Sequence, residues 1–338
     1  MAPALVRHTG GFRRGVVLLL LWGLSGFTAA QGIPPPAAAD RSLADWLGRI
    51  QAAPRQLNYT GIFVVSSSAG TLSSSRLWHA IDGGRQFERV ESLSGVQRTT
   101  LRHNDEVMTL YPEQRFARIE RRDSLGRFPD LLKAGEAAIA DFYAARHLGA
   151  ERVAGFDADV VHLAPRDALR FGYRLWSERR TGLLVKLQTL GPQGDILEQA
   201  AFSELQFDVP LRGDKWGSAL VPPDGWRVDR MEAIKTTAAA EGWALKGEVA
   251  GFKPLNCYRR KASGSGDAAM HWVFSDGLAS VSLFVEPFDA RRHGQESLMA
   301  AGATHTLTRR VQDWWLTAVG EVPPQTLRVF AQNLERRK

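Results

Sequence analysis

The chain has 338 residues, 44% hydrophobic and 23% charged, a balance that excludes wholesale disorder and leaves room for two domains. The formal charge is +7, but the first thirty residues hold Arg7, Arg13 and Arg14 and no acid, so the remainder carries +4, a weak basis for a polyanion or nucleic-acid partner. A single cysteine, Cys257, excludes an internal disulfide, leaves core packing to hold the fold, and reads as a small buried hydrophobe.

At the N-terminus the three arginines precede a short apolar run, Val16 to Leu24, and Thr28-Ala29-Ala30 supplies small residues before Gln31. This is the layout of a secretory signal peptide over residues 1–30, cleaved near Ala30, which predicts a periplasmic mature protein. The apolar stretch from Gly15 to Ala30 falls short of the ~20 residues of a membrane-spanning helix, and Pro34-Pro35-Pro36 would break a longer one.

Gly32 to Ala39 reads as a Pro/Ala spacer. Ser42 suits an N-cap, and Leu43, Trp46, Leu47 and Ile50 follow at helical spacing, predicting a short amphipathic helix over 42–52. Strand-like segments come next: Tyr59 to Val65, Leu77 to Ile81, Gln86 to Glu91, Val96 to Arg102, Val107 to Tyr111 and Phe116 to Arg121, with Asp82-Gly83-Gly84 as a tight turn. Their spacing is that of an antiparallel meander. Pro129 opens a predicted helical region running to about Leu148, with Leu131, Leu132, Ile139 and Phe142 as its apolar members. Strands resume at Val160 to Leu163, Leu169 to Trp176, Leu183 to Leu190 and Ile196 to Phe207, with Thr181-Gly182 as a hairpin turn.

Several of these strands are apolar on both faces. Phe63 and Val65 point opposite to Ile62 and Val64, and Leu183, Val185 and Leu187 are expected opposite to Leu184. Such a sheet needs cover on both sides. One face can pack on helices while the other lines an apolar cavity; a two-layer sandwich without a cavity is the competing arrangement. Pro and Gly enrichment marks 209–224 as a linker between a first domain, 40–208, and a smaller one, 225–335. In the latter, Trp226 to Ile234, His271 to Ser275, Leu278 to Val285, Thr304 to Thr308 and Trp314 to Val319 read as strands, and Asp276-Gly277 as a hairpin turn. Leu245 to Tyr258 is less regular, Ser263 to Asp267 is a loop tip, and Pro324 starts a closing helix with Leu327, Phe330 and Leu334. The fold class is therefore α+β, dominated by antiparallel strands.

Motifs for catalysis are missing. The chain carries no G-x-S-x-G, H-E-x-x-H or C-x-x-C, and no phosphate-binding or dinucleotide glycine pattern. Its eight histidines are scattered, and the carboxylate pairs Glu88/Glu91 and Asp157/Asp159 read as solvated edges. No enzyme activity, metal or cofactor is expected. Arginine doublets such as Arg259-Arg260 and Arg309-Arg310 can bind phosphate or carboxylate, although most such pairs are solvated surface. Trp46, Trp78, Trp176 and Trp272 fall in regular elements and are read as core.

Specific strings carry a resemblance. Asn58 to Val65, Arg76-Leu77-Trp78-His79, Glu88 to Gly95, Pro165-Arg166-Asp167, Tyr173 to Trp176, Thr181 to Leu184, Ser275 to Pro287 and Val319 to Pro324 together resemble the RseB/MucB family, over essentially the whole mature chain. Leu255 to Asp267 matches no string of that family. The resemblance implies a large half-open antiparallel barrel with helices, similar to the carriers LolA and LolB, followed by a small sheet-and-helix domain. It implies a periplasmic regulator that binds the periplasmic region of a transmembrane anti-sigma factor of the RseA/MucA type and shields it from site-one proteolysis. Lipopolysaccharide or mislocalised lipoprotein acyl chains would promote release, and self-association is left open. On this reading the cavity uses Phe63, Val65, Trp78, Phe87, Tyr111, Phe116 and Tyr173, and the anti-sigma segment meets Phe284, Arg309, Arg310 and Trp314. The alternatives are a lipoprotein or lipid carrier without a signalling partner, and an envelope hydrolase without a recognisable motif.

Overall fold

The computed structural model describes residues 42–121, 128, 137–210, 220–261 and 268–337. The expected signal peptide, the Pro/Ala spacer, residues 129–136 of the expected helix, residues 211–219 of the linker and the loop tip Ser263 to Asp267 lie outside them. Among the described residues no helix is long and apolar enough to cross a membrane.

Helix α1, Leu43–Ala52, starts where expected: the Ser42 hydroxyl accepts from the Asp45 amide at 3.1 Å, and Trp46, Leu47 and Ile50 are buried. The chain then builds β1 Tyr59–Ser67, β2 Leu72–Asp82, β3 Arg85–Ser92, β4 Thr99–His103, β5 Glu106–Tyr111 and β6 Phe116–Arg121. After helix α2, Ala137–Phe142, come β7 Tyr143–Val153, β8 Phe156–Pro165, β9 Gly172–Glu178, β10 Leu184–Leu190 and β11 Ile196–Phe207. The second half contains β12 Arg227–Arg230, β13 Glu232–Lys235, β14 Trp243–Leu245, β15 Lys253–Lys261, β16 Ala269–Ser275 and β17 Ser280–Pro287. It closes with β18 Ser297–Ala301, β19 Thr304–Val311, β20 Trp314–Gly320, helix α3 Pro324–Asn333 and β21 Leu334–Arg336.

The fold is α+β and mostly antiparallel. A twelve-stranded sheet runs β12-β6-β5-β4-β3-β2-β1-β11-β10-β9-β8-β7 and does not close. A second sheet runs β13-β15-β16-β17-β20-β19-β18, and β14 pairs with β21 beside it. Strand β12 joins β6 in parallel while β13 joins β15, so residues 227–235 pass from one sheet to the other.

Two local expectations are corrected. Residues 143–148 are strand, not helix, because β8 pairs with the segment from Tyr143 opposite Pro165 to Val153 opposite Phe156, and a long-range ladder overrides helical propensity. The alternation expected at Leu183 to Leu187 breaks at a bulge between Leu184 and Lys186. Leu184 and Leu187 therefore share one core cluster with Trp46, Ile50 and Tyr173, while Leu183 and Val185 join another with Tyr59, Trp176 and Phe202.

The first sheet's α1-covered cluster contains one guest from the second module: Leu278, at the tip of the β16–β17 turn. Gly277 makes the approach possible. Its φ is +102°, and a Cβ there would lie 2.9 Å from Cγ1 of Ile139 in α2. The second module has its own core, in which α3 lays Leu327 and Phe330 against Phe274, Leu283 and Leu316. Gly277→Ala should lower stability by about 1–3 kcal/mol, read as a drop in the urea midpoint, because strain and collision act at the same atom.

Candidate functional site at the junction of the two sheets

The turn that brings Leu278 to the first module also carries a buried ion pair. Asp276 Oδ1 accepts from the amides of Leu278 and Ala279 at 2.9 and 2.7 Å, which fixes the turn. Its Oδ2 accepts from the Arg170 guanidinium at 2.8 Å and from the Tyr143 hydroxyl at 2.9 Å. Both members of the Arg170–Asp276 pair are fully shielded from solvent. Arg170 also donates to Asp167 at 2.9 Å and to the Ala250 carbonyl at 2.6 Å, and its planar group stands 4.4 Å from the Phe142 ring and 5.2 Å from that of Phe252. Close by, the Thr326 hydroxyl donates to the Leu169 carbonyl at 2.6 Å. Burial pushes the Asp276 carboxyl up from its ordinary range against the opposing pull of the turn amides and Arg170.

A second polar row crosses the first sheet. Tyr59, His79, Glu88 and Arg102 face one another in successive register on β1 to β4. The Tyr59 and His79 rings stack at 4.7 Å, His79 donates from Nδ1 to the Leu57 carbonyl at 3.0 Å, and Arg102 lies 3.5 Å from Glu88. Burial raises the Glu88 carboxyl although Arg102 works in the other direction.

The register separates the seven residues expected to line one cavity. Phe63, Val65, Tyr111, Phe116 and Tyr173 lie on the face that carries Tyr59 and Glu88. Phe63 meets Phe128 and Phe202 at 5.9 and 6.3 Å. Tyr111 and Phe116 stack at 5.7 Å toward the sheet's other end, and Tyr173 is buried 6.0 Å from Tyr143. Trp78 and Phe87 occupy the opposite face, Trp78 between Arg76 and Arg89 and Phe87 stacked on His103. One hollow beneath the sheet does not take all seven. The four residues expected to meet a partner also divide. Phe284, stacked on His271, and Arg310, over the Phe288 ring, share one face of the second sheet. Arg309 and Trp314 share the α3 side, where Trp314 meets Trp243 edge-on at 5.7 Å.

Comparison with known proteins places these modules. Residues 42–220 match the MucB/RseB N-terminal domain and residues 237–335 the MucB/RseB C-terminal domain. The chain belongs to the MucB/RseB family. It is 28% identical over 330 residues, 95% of this chain and 97% of the relative, to the sigma factor AlgU regulatory protein MucB of Pseudomonas aeruginosa. Among solved structures it is similar to the MucA/MucB complex of Pseudomonas aeruginosa, with 25% identity and a TM-score of 0.66 over 88% of this chain and 99% of that one. A crystal structure of MucB with MucA(peri) gives 26% identity and a TM-score of 0.65 over 88% and 100% of the two chains.

Within this MucB/RseB chain, the coupling residues Arg170 and Tyr143 escaped the sequence reading. Arg170 sits in no doublet, and Tyr143 fell inside an expected helix. The signal that could have found the site was Asp276-Gly277, a turn pair flanked by the strongest family string. Asp276→Ala leaves Arg170 with less compensation in a buried setting and should cost about 3 kcal/mol, with unfolding separating into two transitions by calorimetry. Glu88 binds its proton more tightly in the fold than in the unfolded chain, so its contribution to stability falls as pH rises from about 4.5 through the raised value. Glu88→Gln should flatten that part of a urea-midpoint pH profile.

Proposed function

We propose that this chain is a periplasmic binding protein, not an enzyme, which holds the periplasmic region of a MucA/RseA-type anti-sigma factor, shields it from site-one proteolysis and releases it in response to lipid-like envelope material. Family membership over both modules carries this reading, and the relative solved with MucA(peri) supports it. The proposed organisation is a signal peptide over 1–30, a lipid-binding-type domain over 40–208, a linker over 209–224 and an anti-sigma-binding domain over 225–335.

The junction supplies the physical means. A ligand alters partner affinity only if it binds the two states of the protein unequally. A buried Asp276–Arg170 contact between modules makes any separation of the two sheets costly, so a partner spanning both and a ligand that disturbs their packing act on one equilibrium. The face bearing Phe63 and Val65 offers apolar surface for acyl chains, and the exposed Arg310 over the Phe288 ring, with Phe284 farther along the same sheet face, offers a cationic and aromatic surface for the anti-sigma segment.

The test is capture of the periplasmic segment of the anti-sigma factor encoded in the same genome, followed by its challenge with the site-one protease. A stable complex that slows cleavage is expected. Arg310→Glu and Phe284→Ala should each weaken binding about tenfold, on the order of 1.4 kcal/mol, by titration calorimetry. Absence of any complex refutes the regulator role, and unchanged affinity in both variants removes that face from the interface.

A further inference from the structure

The second module carries an open pocket of about 660 Å³, inside the ~300–1,000 Å³ range of small-molecule sites. Its floor is β15 and β16, where Cys257 and Trp272 stand directly opposite each other, with Phe274 beyond. The segment between β13 and β15, β14 included, forms the other wall through Trp243, Leu245, Val249 and Phe252. Three exposed lysines, Lys235, Lys246 and Lys253, mark its rim against one lining carboxylate, Glu248, which lies 3.6 Å from Lys253. The eleven residues expected from the sequence to form sites do not line it.

We propose that this cavity binds a single-chain anionic amphiphile, an alkyl chain ending in a carboxylate or phosphate. The walls offer rings and aliphatic groups, which suit methylenes that require no hydrogen bonds. An extended peptide would bring amides that need partners. The lining hydroxyls are already engaged, Thr236 with Glu241 at 2.9 Å and Thr237 with the Ala240 amide at 3.1 Å. The lysines place positive charge where a chain's head group would emerge, and an uncharged chain gains nothing from them. The proposal rests on the lipid-responsive reading above for its purpose, but it names a different surface from the Phe63 face and needs no partner to be examined.

Cys257 reports on occupancy. It is the chain's one cysteine, it lines the cavity, and its thiol is pushed up to about 11 by burial, so alkylation is slow and followed conveniently near pH 9. The full exported chain is titrated, below micellar concentrations, with decanoate, laurate, dodecanol and a lysophosphatidate carrying a twelve-carbon chain. Affinity should rise about fourfold per methylene, hence about fifteenfold from decanoate to laurate. Saturating laurate should slow Cys257 alkylation at least fivefold. Lys246→Glu combined with Lys253→Glu, both exposed, should weaken laurate and lysophosphatidate tenfold or more and leave dodecanol unchanged. Tighter laurate identifies a free fatty acid as the occupant class, and tighter lysophosphatidate a phospholipid-derived head; both support the site. Affinity independent of chain length, an unprotected Cys257, or equal losses for dodecanol overturns it. None of these titrations contains an anti-sigma segment, so their failure leaves the regulator reading standing.

Discussion

The buried contact between Arg170 and Asp276 organises the molecule. A guanidinium and a carboxylate removed from water are tolerated only when their hydrogen-bonding capacity is met, and here it is met from both modules at once. The first module supplies Arg170, Asp167 and Tyr143. The second supplies Asp276, the Ala250 carbonyl and the amides of Leu278 and Ala279. Neither half of the arrangement is complete alone. The side-chain amide of Gln325 on the Ala168 carbonyl and the Thr326 hydroxyl on that of Leu169 extend the same seam.

That seam works because the open sheet leaves one face for other elements to cover. Helices α1 and α2 occupy it over β7 to β10, and Leu278 completes their packing. Bulges in β10 and β11 reassign side chains between clusters, which a curved sheet needs if both faces are to be filled. Farther along, the same face carries Tyr59, His79, Glu88 and Arg102 in a buried row, so its chemistry changes from apolar to polar within a few strands.

Much of the local structure was legible. Ser42 with Asp45, Asp276-Gly277 between two β-rich runs, and Pro324 ahead of Leu327 and Phe330 each mark an element end by a mechanism within a few residues. The candidate sites were much less legible. Trp78 and Phe63 belong to adjacent strands and are both aromatic, yet their relative faces follow from the pairing of Thr60 with Trp78 and Gly61 with Leu77, a register no single strand encodes. Cys257 could be read as buried, but not as lining a cavity, because the opposing wall lies in a segment whose sequence signals no regular element.

The sequence by itself determined the preponderance of antiparallel strands, many strand and helix starts, and the family, since these rest on patterns contained within short stretches of chain. Only the tertiary structure decided the strand character of residues 143–148, the bulge that places Leu184 with Leu187, the meeting of Arg170 with Asp276, and the position of the lysine-rimmed cavity. Each of those depends on contacts between residues far apart in the chain. Their free energy comes from excluding water between surfaces that exist only once both partners are folded.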